Sequence, residues 1–589
     1  MRKSFVLLGI FLLGTLSATA QAQNYYVCDN GNDSNDGRTE AKPFKSYEKA
    51  MDTFNKMNAG GSVLFCRGGK FIATQKKRLA NFNCSADKVC TIGDYGNSNL
   101  ERPLIIDRVE TGFNFQNGSD SRPDGGYHVK NVMLVAQTDG KGYGISFYND
   151  VNDILIENVH VEGYRVGVSS RGGNKAAPGS GSNRQTDRLI LRNSTIINNK
   201  SQGFQGGCND CVIENNHFEN NGFGRRILDH NIYISSASKD ESISVKNILI
   251  RNNTLYRSTI INGKCEGVSL VVHGIVRNLT IENNTIKEDL GKVTQYCWGI
   301  GIDPGNEMDE SFVGLKIHKN TLLNVGNIGI GCSSCKDAVI SDNMIIDEGD
   351  VLRTGIAIPS KPEDSLKSQN ITISGNKIAL NHDRSTGINV KDVYPVKILN
   401  NDISILKTGV NTQCIGLEGI NTSLNISSNQ CKTHNDVSVI DQTLPETEVV
   451  ENTPEVPVEE PVVTEPEPET EVVENTPEVP VEEPVVTEPE PETEVVENTP
   501  EAPVEEQPVV TEPETEVVEN TPEVPVEQPV VNEPETVVSF ERPSWASPRP
   551  TSSSNNFTVD NLIESMQNDY SNVSESECRV FARGKCLIR

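Results

Sequence analysis

The most regular feature of the chain is a repeated pattern of apolar and polar positions between about residues 150 and 431. The pattern is Ile, two residues, Asn, one residue and an apolar residue. Eight copies are complete: Ile213/Asn216/Phe218, Ile250/Asn253/Leu255, Ile281/Asn284/Ile286, Ile317/Asn320/Leu322, Ile340/Asn343/Ile345, Ile373/Asn376/Ile378, Ile398/Asn401/Ile403 and Ile426/Asn429/Cys431. Two earlier copies, Ile156/Val159/Val161 and Leu191/Ser194/Ile196, lack the Asn. Apolar and polar positions alternate around each Asn, which predicts very short β-strands.

A second pattern precedes many of these copies: Gly, an apolar residue, a small residue and a further residue that is usually apolar. It occurs at Gly144-Ile-Ser-Phe147, Gly299-Ile-Gly-Ile302, Gly329-Ile-Gly-Cys332, Gly355-Ile-Ala-Ile358, Gly387-Ile-Asn-Val390 and Gly409-Val-Asn-Thr412. Each coil therefore holds two or three short strands, which bury a face only when the coils stack in parallel. We expect the Ile residues to form one interior column. We expect each Asn to turn a corner in the left-handed conformation and to bond to the Asn of the next coil.

A short helix is predicted before the repeats. Apolar residues recur there at helical spacing, at Phe44, Tyr47, Ala50, Met51, Phe54 and Met57. Ser46 is in position to cap the helix, Gly60 and Gly61 end it, and Val63 begins the first coil. We expect this helix to cover the first coil, whose strand edges would otherwise be exposed.

Together these patterns resemble the right-handed parallel β-helix shared by pectate lyases, polysaccharide epimerases and many bacterial β-helix-repeat proteins. Residues 25–37, followed by Pro43 and Phe44, resemble the entry segment of exported enzymes with this fold. The resemblance implies an all-β, right-handed solenoid over residues 23–443, with a ligand groove along the outside of one strand column. It leaves the chemistry open, because one fold serves many functions.

The two ends of the chain have a different character. Residues 1–22 combine Arg2 and Lys3 with an apolar run and a small-residue site, which predicts a secretory signal peptide and export to the periplasm, the cell surface or the medium. Residues 444–541 contain 31 Glu and 19 Pro but no Lys, Arg or Gly, which predicts a disordered, extended linker. Residues 542–589 are predicted to be a small tail with a short helical stripe and a Cys pair. It is either a docking module for an envelope or protein partner, or a small structural cap or disordered end.

The charge and the cysteines narrow the functional classes. The linker contributes −31 to the formal charge of −29, so the remainder carries +2, which argues against a nucleic-acid partner. No segment after the signal peptide is apolar enough to predict a membrane span. We expect the protein to be a monomer. The 14 Cys of an exported chain favour disulfides, and spacing suggests these pairs: Cys84 with Cys90, Cys208 with Cys211, Cys332 with Cys335, Cys414 with Cys431 and Cys578 with Cys586. Cys28 with Cys66 and Cys265 with Cys297 are further hypotheses. The two C-x-x-C elements could also be half-sites for zinc, but the repeats separate them by several coils.

Aligning the coils on the Gly pattern predicts which residues point outward from one strand column. These are Ser146, Ser169, Gln205, Tyr233, Ser269, Gly301, Gly331, Ala357, Asn389 and Asn411. Their small side chains leave room for an extended polysaccharide. Larger side chains flank the column, and we expect four of them to bind substrate: Tyr143, Tyr148, Arg171 and Trp298.

The richest stretch for chemistry is residues 224–235. A lyase acting on a uronic acid must neutralise the substrate carboxylate, remove the neighbouring proton and protonate the leaving oxygen. Arg225 or Arg226 would supply the first group, His230 the base and Tyr233 the acid. The alternative is that residues 229–231 form a polar turn and Tyr233 is a surface aromatic residue.

Calcium is a cofactor of many lyases with this fold, so we also consider a metal site. Hard oxygen ligands are available at Asp229, Glu266 and Asp303. A second candidate, residues 29–40, spaces its carboxylates as in a calcium-binding loop but has Ser34 where Gly is required, which favours a plain turn.

Two short tracts resemble family motifs in part. Ile227-Leu-Asp-His230 is similar to the Trp-Ile-Asp-His tract of pectate lyases, without its Trp. Trp298-Gly-Ile-Gly-Ile-Asp303-Pro-Gly305 is similar to the Tyr-Gly-x-Asp-Pro-His motif of mannuronan C5-epimerases, with Gly305 in place of the His. The chain has no Asp-Asp pair of the kind expected in a polygalacturonase-like hydrolase.

The sequence therefore predicts an exported polysaccharide lyase that acts on a uronic-acid polymer by β-elimination. Two alternatives stay open. One is a non-catalytic surface or adhesion protein displayed on the Pro/Glu stalk, and the other is a polysaccharide C5-epimerase.

Overall fold

The structure is a computed structural model that describes residues 23–117, 124–171, 186–236, 244–305, 310–360, 366–407, 409, 412–419, 424–433, 578–582 and 585–588. The chain divides into two compact units, residues 1–443 with Arg589, and residues 444–588. The predicted signal peptide, the Pro/Glu linker and the helical stripe of the tail lie outside the described residues and stay predictions. In the second unit, strands Cys578–Ala582 and Lys585–Ile588 form an antiparallel pair.

Three long sheets make up the first unit, and the strands of each pair in parallel. Sheet A has 14 strands: Asn24–Val27, Ser62–Cys66, Cys90–Tyr95, Asp124–Lys130, Val151–Glu157, Leu189–Arg192, Cys211–Glu214, Val245–Arg251, Ile275–Glu282, Ser311–Val313, Lys316–His318, Cys335–Ser341, Gln369–Ser374 and Val396–Leu399. Sheet B has 13: Lys70–Ala73, Leu104–Asp107, Met133–Ala136, His160–Glu162, Thr195–Ile197, His217–Glu219, Thr254–Tyr256, Thr285–Lys287, Thr321–Leu323, Met344–Ile346, Lys377–Leu380, Asp402–Ile405 and Gln430–Thr433. Sheet C has 12: Arg78–Leu79, Thr111–Gln116, Tyr143–Tyr148, Val166–Arg171, Gln202–Gly206, His230–Ser235, Val268–His273, Trp298–Ile302, Ile328–Cys332, Thr354–Ile358, Thr386–Lys391 and Gln413–Glu418.

The chain passes from sheet A to sheet B to sheet C and back in each coil, which makes the unit a parallel β-helix. In one coil, for example, strand Val151–Glu157 of sheet A is followed by His160–Glu162 of sheet B and Val166–Arg171 of sheet C. The side chains that point inward from the three sheets stack from coil to coil, so Ile and Val residues fill a continuous core. Two short strand pairs interrupt the corners, Thr186–Asp187 with Cys208–Asn209 and Ile260–Ile261 with Lys264–Cys265.

An asparagine ladder runs through the corner between sheets A and B. The buried side chain of Asn284 accepts hydrogen bonds from the backbone N and Nδ2 of Asn253, both at 3.0 Å. Its own Nδ2 donates to the Ile250 carbonyl at 2.9 Å and to Asn320 Oδ1 at 3.0 Å. The same bonds recur from coil to coil as far as Asn401 and Asn429, which confirms the predicted bonding between successive Asn residues.

The left-handed conformation, however, belongs to a different residue. Asn215, Asn252 and Asn283, each directly before a ladder Asn, have φ of 55°, 55° and 53°. The prediction that the ladder Asn itself is left-handed was therefore wrong. Two neighbouring residues form the corner: the first adopts the left-handed conformation, and the second points inward and forms hydrogen bonds to the coils on either side.

A glycine column marks the entry to sheet C and explains the second sequence pattern. A Cβ added at Gly329 would lie 2.5 Å from the Gly355 carbonyl oxygen and 3.0 Å from Ile345. Gly355 has the same relation to the carbonyl of Gly387 in the next coil. Glycine is required because the coils and the facing sheet B side chains meet here without room for a side chain.

Helix Tyr47–Phe54 packs on the interior side chains of the first coils. Ser46 caps it by accepting a hydrogen bond from the Lys49 backbone N at 3.1 Å. Tyr47 stacks with Phe113, and the ring of Phe54 lies against Phe115. The apolar face of the helix is fully buried by these contacts.

Between residues 23 and 433, the described cysteines form six disulfides, and they are the predicted pairs Cys28–Cys66, Cys84–Cys90, Cys208–Cys211, Cys265–Cys297, Cys332–Cys335 and Cys414–Cys431. The cysteines of both C-x-x-C elements are thus bonded to each other, which excludes them as zinc ligands. Disulfides in such number are typical of proteins of oxidising, extracytoplasmic compartments. The predicted pair Cys578–Cys586 concerns side chains that the structure does not describe. Among the described residues, no helix has the length and apolar character needed to cross a membrane.

Candidate functional site

The outer face of sheet C carries three columns of outward-pointing positions, one residue from each strand. The pairing register places Ser146, Ser169, Gln205, Tyr233, Val271, Gly301, Gly331, Ala357, Asn389 and Gly416 in the second column. Eight of the ten predicted positions are confirmed. Val271 takes the place of Ser269, because Ser269 itself lies in the glycine column and Gly267 lies in the corner before the strand. Gly416 replaces Asn411, because the last strand of sheet C begins at Gln413 and leaves the Gly409 pattern outside it.

Three aromatic side chains form a row across two neighbouring strands of this face. His230 lies in the first column, Tyr233 in the second and His273 in the third. The rings of His230 and Tyr233 stack, with centroids 5.6 Å apart and an interplanar angle of 7°. The Tyr233 ring meets the His273 ring edge to face, with centroids 5.5 Å apart. The row thus brings together two predicted catalytic side chains and one histidine that was not predicted.

His230 is almost completely buried, with 2% of its surface exposed. Its Nδ1 is 2.9 Å from the Val268 carbonyl oxygen, so Nδ1 carries the proton and donates it there. Burial lowers the pKa of His230 to about 3, and the nearby His273 and Arg225 add to this effect against the bond to Val268. The ring is therefore neutral at ordinary pH, and its stacking on Tyr233 fixes the orientation of that phenol.

His273 has the opposite electrostatic setting. Its Nδ1 is 2.6 Å from the Asp303 carbonyl oxygen, and the carboxylates of Asp303 and Glu310 lie 3.8 and 3.7 Å from the same nitrogen. Burial alone would lower the pKa of His273, but these two acidic residues raise it above its ordinary value. For the acidic Glu310, burial alone would raise the pKa, but the interactions with His273 and with backbone N–H groups hold that pKa below its ordinary value. The arrangement stabilises a charged imidazolium beside Tyr233.

The loop at residues 220–229 carries the two predicted arginines, and both of them pair with acidic residues of the chain. Arg225 Nη2 lies 2.8 Å from Oδ1 of the fully buried Asp229. Arg226 Nε lies 2.8 Å from Oε2 of Glu266, and its guanidinium sits over the Tyr296 ring at 4.8 Å. Each positive charge is thus largely balanced within the protein, although both arginine side chains remain half exposed.

The predicted metal ligands are distributed over these same contacts. Asp229 pairs with Arg225, Glu266 with Arg226, and Asp303 approaches His273. Within the described ranges, the clusters of acidic, Cys and His side chains close enough to share an ion each contain two disulfide-bonded cysteines, and none includes these three residues. A calcium requirement stays a sequence-based expectation.

Trp298 provides an aromatic surface two strands from Tyr233. A Cβ built on Gly301 or Gly331 would lie 3.8 Å from the indole ring, so the ring lies over both glycines of the second column. Tyr143 lies in the first column with the Arg165 guanidinium over its ring at 4.9 Å, and Tyr148 lies in the third column of the same strand with 39% of its surface exposed. Arg171 pairs with Tyr148 on the neighbouring strand, and the structure does not describe its side chain.

Sequence reasoning missed His273 and Glu310 as members of the site. Glu310 lies directly before strand Ser311–Val313 of sheet A, whereas His273 ends a strand of sheet C. No regular sequence spacing therefore relates the two residues. A usable signal existed for His273: it falls in the third column once the register of its strand is placed correctly. Matching Gly267 to the Gly pattern hides this signal, because it shifts the strand by two residues.

Comparisons with known proteins give limited similarities. No protein-family model matches the chain. A stretch of 148 residues, 25% of the chain, is 29% identical to a lacto-N-biosidase of Bifidobacterium longum subsp. longum, and the match spans 9% of that protein's length. Among solved structures, the GH136 lacto-N-biosidase from Eubacterium ramulus has a TM-score of 0.42 at 12% identity, with 70% of this chain and 68% of that chain covered. PfbA, a surface adhesin of Streptococcus pneumoniae, has a TM-score of 0.45 at 13% identity, with 61% and 86% covered.

Proposed function

We propose that the protein is a carbohydrate-active enzyme that binds a saccharide polymer along the outer face of sheet C and cleaves it at Tyr233. The observation that carries this proposal is the row His230, Tyr233 and His273, with Trp298 two strands away on the same face. Neighbouring strands lie about 4.8 Å apart, so the face from Tyr148 to Trp298 extends over roughly 24 Å, which suits an extended chain. The sequence likeness to a lacto-N-biosidase is in keeping with a saccharide substrate.

The proposed roles follow from exposure and charge. Tyr233 offers a phenol on the open face, and it is oriented by the neutral His230 ring beneath it. His273 is the group that exchanges protons with Tyr233 or with the leaving oxygen, because Asp303 and Glu310 favour its charged form. His230 thereby takes a positioning role in place of the base predicted from sequence, since so little of it is exposed.

Two reaction types are compatible with this arrangement. β-Elimination would use the Tyr233 phenolate as the base and the charged His273 as the acid, and it would require Arg225 or Arg226 to exchange an internal carboxylate for that of the substrate. Hydrolysis would use the Asp303 carboxylate, whose side chain is 27% exposed, together with a second acid. The pairing of both arginines argues for giving hydrolysis equal weight with the lyase reaction predicted from sequence.

The test incubates the full-length protein with neutral polysaccharides and with uronic-acid polysaccharides, each with and without calcium. The ultraviolet absorbance of an unsaturated product identifies a lyase, and new reducing ends without that absorbance identify a hydrolase. We expect Tyr233→Phe to lower the cleavage rate about 100-fold or more while the polymer still binds. Tyr394→Phe, an exposed tyrosine next to sheet A, is the matched control.

Binding without cleavage by the wild-type protein would reject the enzymatic proposal and support the display alternative. In that case the residues of the row would serve recognition alone. Equal cleavage rates for wild type and Tyr233→Phe would reject the assignment of Tyr233, whichever reaction is found.

A further inference from the structure

A pocket of about 370 Å³ lies beside the entry to sheet C, next to the Trp298 strand. Its lining residues are Glu266, Thr294, Gln295, Tyr296, Asp350, Val351, Arg353 and His382. They come from the corners that precede strands Val268–His273, Trp298–Ile302, Thr354–Ile358 and Thr386–Lys391. We call this the corner pocket. Its volume falls in the lower range of small-ligand sites.

Unequal corner lengths create the corner pocket. The corner before Trp298 spans residues 288–297, and the corner before Thr354 spans residues 347–353. Between these two, the corner before Ile328 spans only residues 324–327. The strands that begin at Trp298, Ile328 and Thr354 are direct neighbours, so two long corners flank a short one and leave a recess between them.

The walls of the corner pocket are held in place. The disulfide Cys265–Cys297 joins the corner that carries Glu266 to the corner that carries Tyr296. The two cysteines form a small buried cluster with Val293, and Val351 from a third corner packs against it. A pocket whose walls are cross-linked is preformed and loses little entropy when a ligand binds.

The polar groups of the corner pocket can donate and accept hydrogen bonds but carry no excess positive charge. The carboxylates of Glu266 and Asp350 face one guanidinium, that of Arg353, and the charge of Glu266 is balanced by Arg226. His382 Nδ1 accepts a hydrogen bond from the Arg384 backbone N at 2.9 Å, so the neutral ring keeps its proton on Nε2 as a donor. Burial and the neighbouring Arg353 lower the pKa of His382, which keeps the ring neutral.

We propose that the corner pocket is a second saccharide subsite that receives a neutral, hydroxyl-rich sugar unit lying off the axis of the polymer bound along sheet C. This inference rests on the proposed function. The pocket lies beside the first column at Trp298 rather than along the second column, so the unit that enters it is a side branch. Carboxylates and amides accept from sugar hydroxyls, and Arg353 and His382 donate to them. An acidic sugar would meet Glu266 and Asp350 and is disfavoured.

The test measures dissociation constants of the full-length protein for polymers that differ only in branching. The probes are galactomannan against linear mannan, arabinoxylan against unbranched xylan, and polygalacturonate as the acidic linear polymer. We expect at least one branched polymer to bind about tenfold more tightly than its linear counterpart. Arg353→Ala and Asp350→Ala should each abolish that preference and leave the affinity for the linear polymer within about twofold. Arg38→Ala and Asp87→Ala are the matched controls, because both residues are exposed and lie outside the pocket.

The outcomes separate this inference from the proposed function. Equal binding of branched and linear polymers by wild type, or a preference that survives both pocket variants, overturns the corner pocket as a saccharide subsite while polymer binding stands. A loss of polygalacturonate binding in Arg353→Ala would overturn the neutral-sugar assignment. No binding to any polymer rejects the proposed function, and the inference with it.

Discussion

Asn284 occupies the middle of the asparagine ladder, and its replacement by Ala tests whether the ladder stabilises the stack of coils. The side chain makes four hydrogen bonds of 2.9 to 3.0 Å: two are accepted from Asn253, and two are donated to Ile250 and Asn320. The residue is 1% exposed, so water has little access to the groups that the substitution leaves behind.

The expected cost follows from counting those groups. Asn284→Ala leaves the backbone N–H of Asn253 and one of its Nδ2 hydrogens without an acceptor. An unsatisfied buried donor costs roughly 1 to 3 kcal/mol, so the two donors together cost about 4 kcal/mol. Asn320 keeps one partner, because the backbone N of residue 284 still donates to its Oδ1 at 3.0 Å. The loss of Nδ2 from the Ile250 carbonyl makes this figure a lower estimate.

The assay is urea unfolding of the full-length protein, followed by far-ultraviolet circular dichroism and by tryptophan fluorescence, to which Trp298 of the same coil contributes. Asn381→Ala is the matched control, since Asn381 makes one surface hydrogen bond of 3.3 Å to the Glu348 carbonyl. We expect the control to lose less than about 1 kcal/mol of unfolding free energy. If Asn284→Ala loses no more than the control, the ladder is not a source of stability and the reasoning fails.

Three further predictions concern the site and its surroundings. Gly329→Ala should lower the thermal unfolding temperature sharply. Gly331→Ala should leave it nearly unchanged, because the added Cβ would lie 3.7 Å or more from its nearest neighbours. Equal effects of the two substitutions would contradict the packing argument. The pKa of His230 is about 3 in the folded protein, below its ordinary 6.5, so its contribution to stability is complete above pH 6.5 and is lost as the pH falls. In urea unfolding, wild type should therefore lose about 2 kcal/mol more than His230→Gln between pH 7 and 5. Parallel pH profiles of the two proteins would refute this. The double variant Cys265→Ser, Cys297→Ser should lose about 4 kcal/mol of unfolding free energy, because the disulfide closes a 32-residue separation, and it should weaken branched-polymer binding. Unchanged unfolding would contradict the role of the disulfide in holding the corners.

Most of the fold follows from local sequence because each coil repeats the same physical problem. The Ile residues must point inward, the Asn must satisfy buried polar groups at a corner, and the glycine must make room where coils meet. These requirements recur at nearly every coil, so the sheets and the ladder were predictable. The left-handed residue was not, since Asn215 and Asn216 have equal intrinsic preference for that conformation, and only the bonds along the stack decide between them.

The site was predictable only in part, because it depends on contacts between different coils. Tyr233 and His230 are close in sequence and on one strand, and they were identified together. The pairing of Arg226 with Glu266 and the approach of Glu310 to His273 join residues 40 and 37 positions apart. Corner length sets such contacts, and corner length varies freely in a solenoid, so no sequence period predicts them.

In the coils that carry the histidine row, polar residues replace glycine in the glycine column. At the positions equivalent to Gly203 and Gly299 these coils have Asn231 and Ser269, and Asn231 Nδ2 reaches Ser269 Oγ at 3.4 Å. Beneath the row the interior is therefore polar, and it continues through Ser258, which donates to the Val268 carbonyl. A buried polar cluster costs stability relative to the glycine and isoleucine packing of the other coils. The cluster is accounted for if it holds the strands of His230 and His273 in register, since the Val268 carbonyl receives bonds from both the Ser258 hydroxyl and the His230 ring. A departure from the repeat thus marks the site independently of the side chains on the outer face.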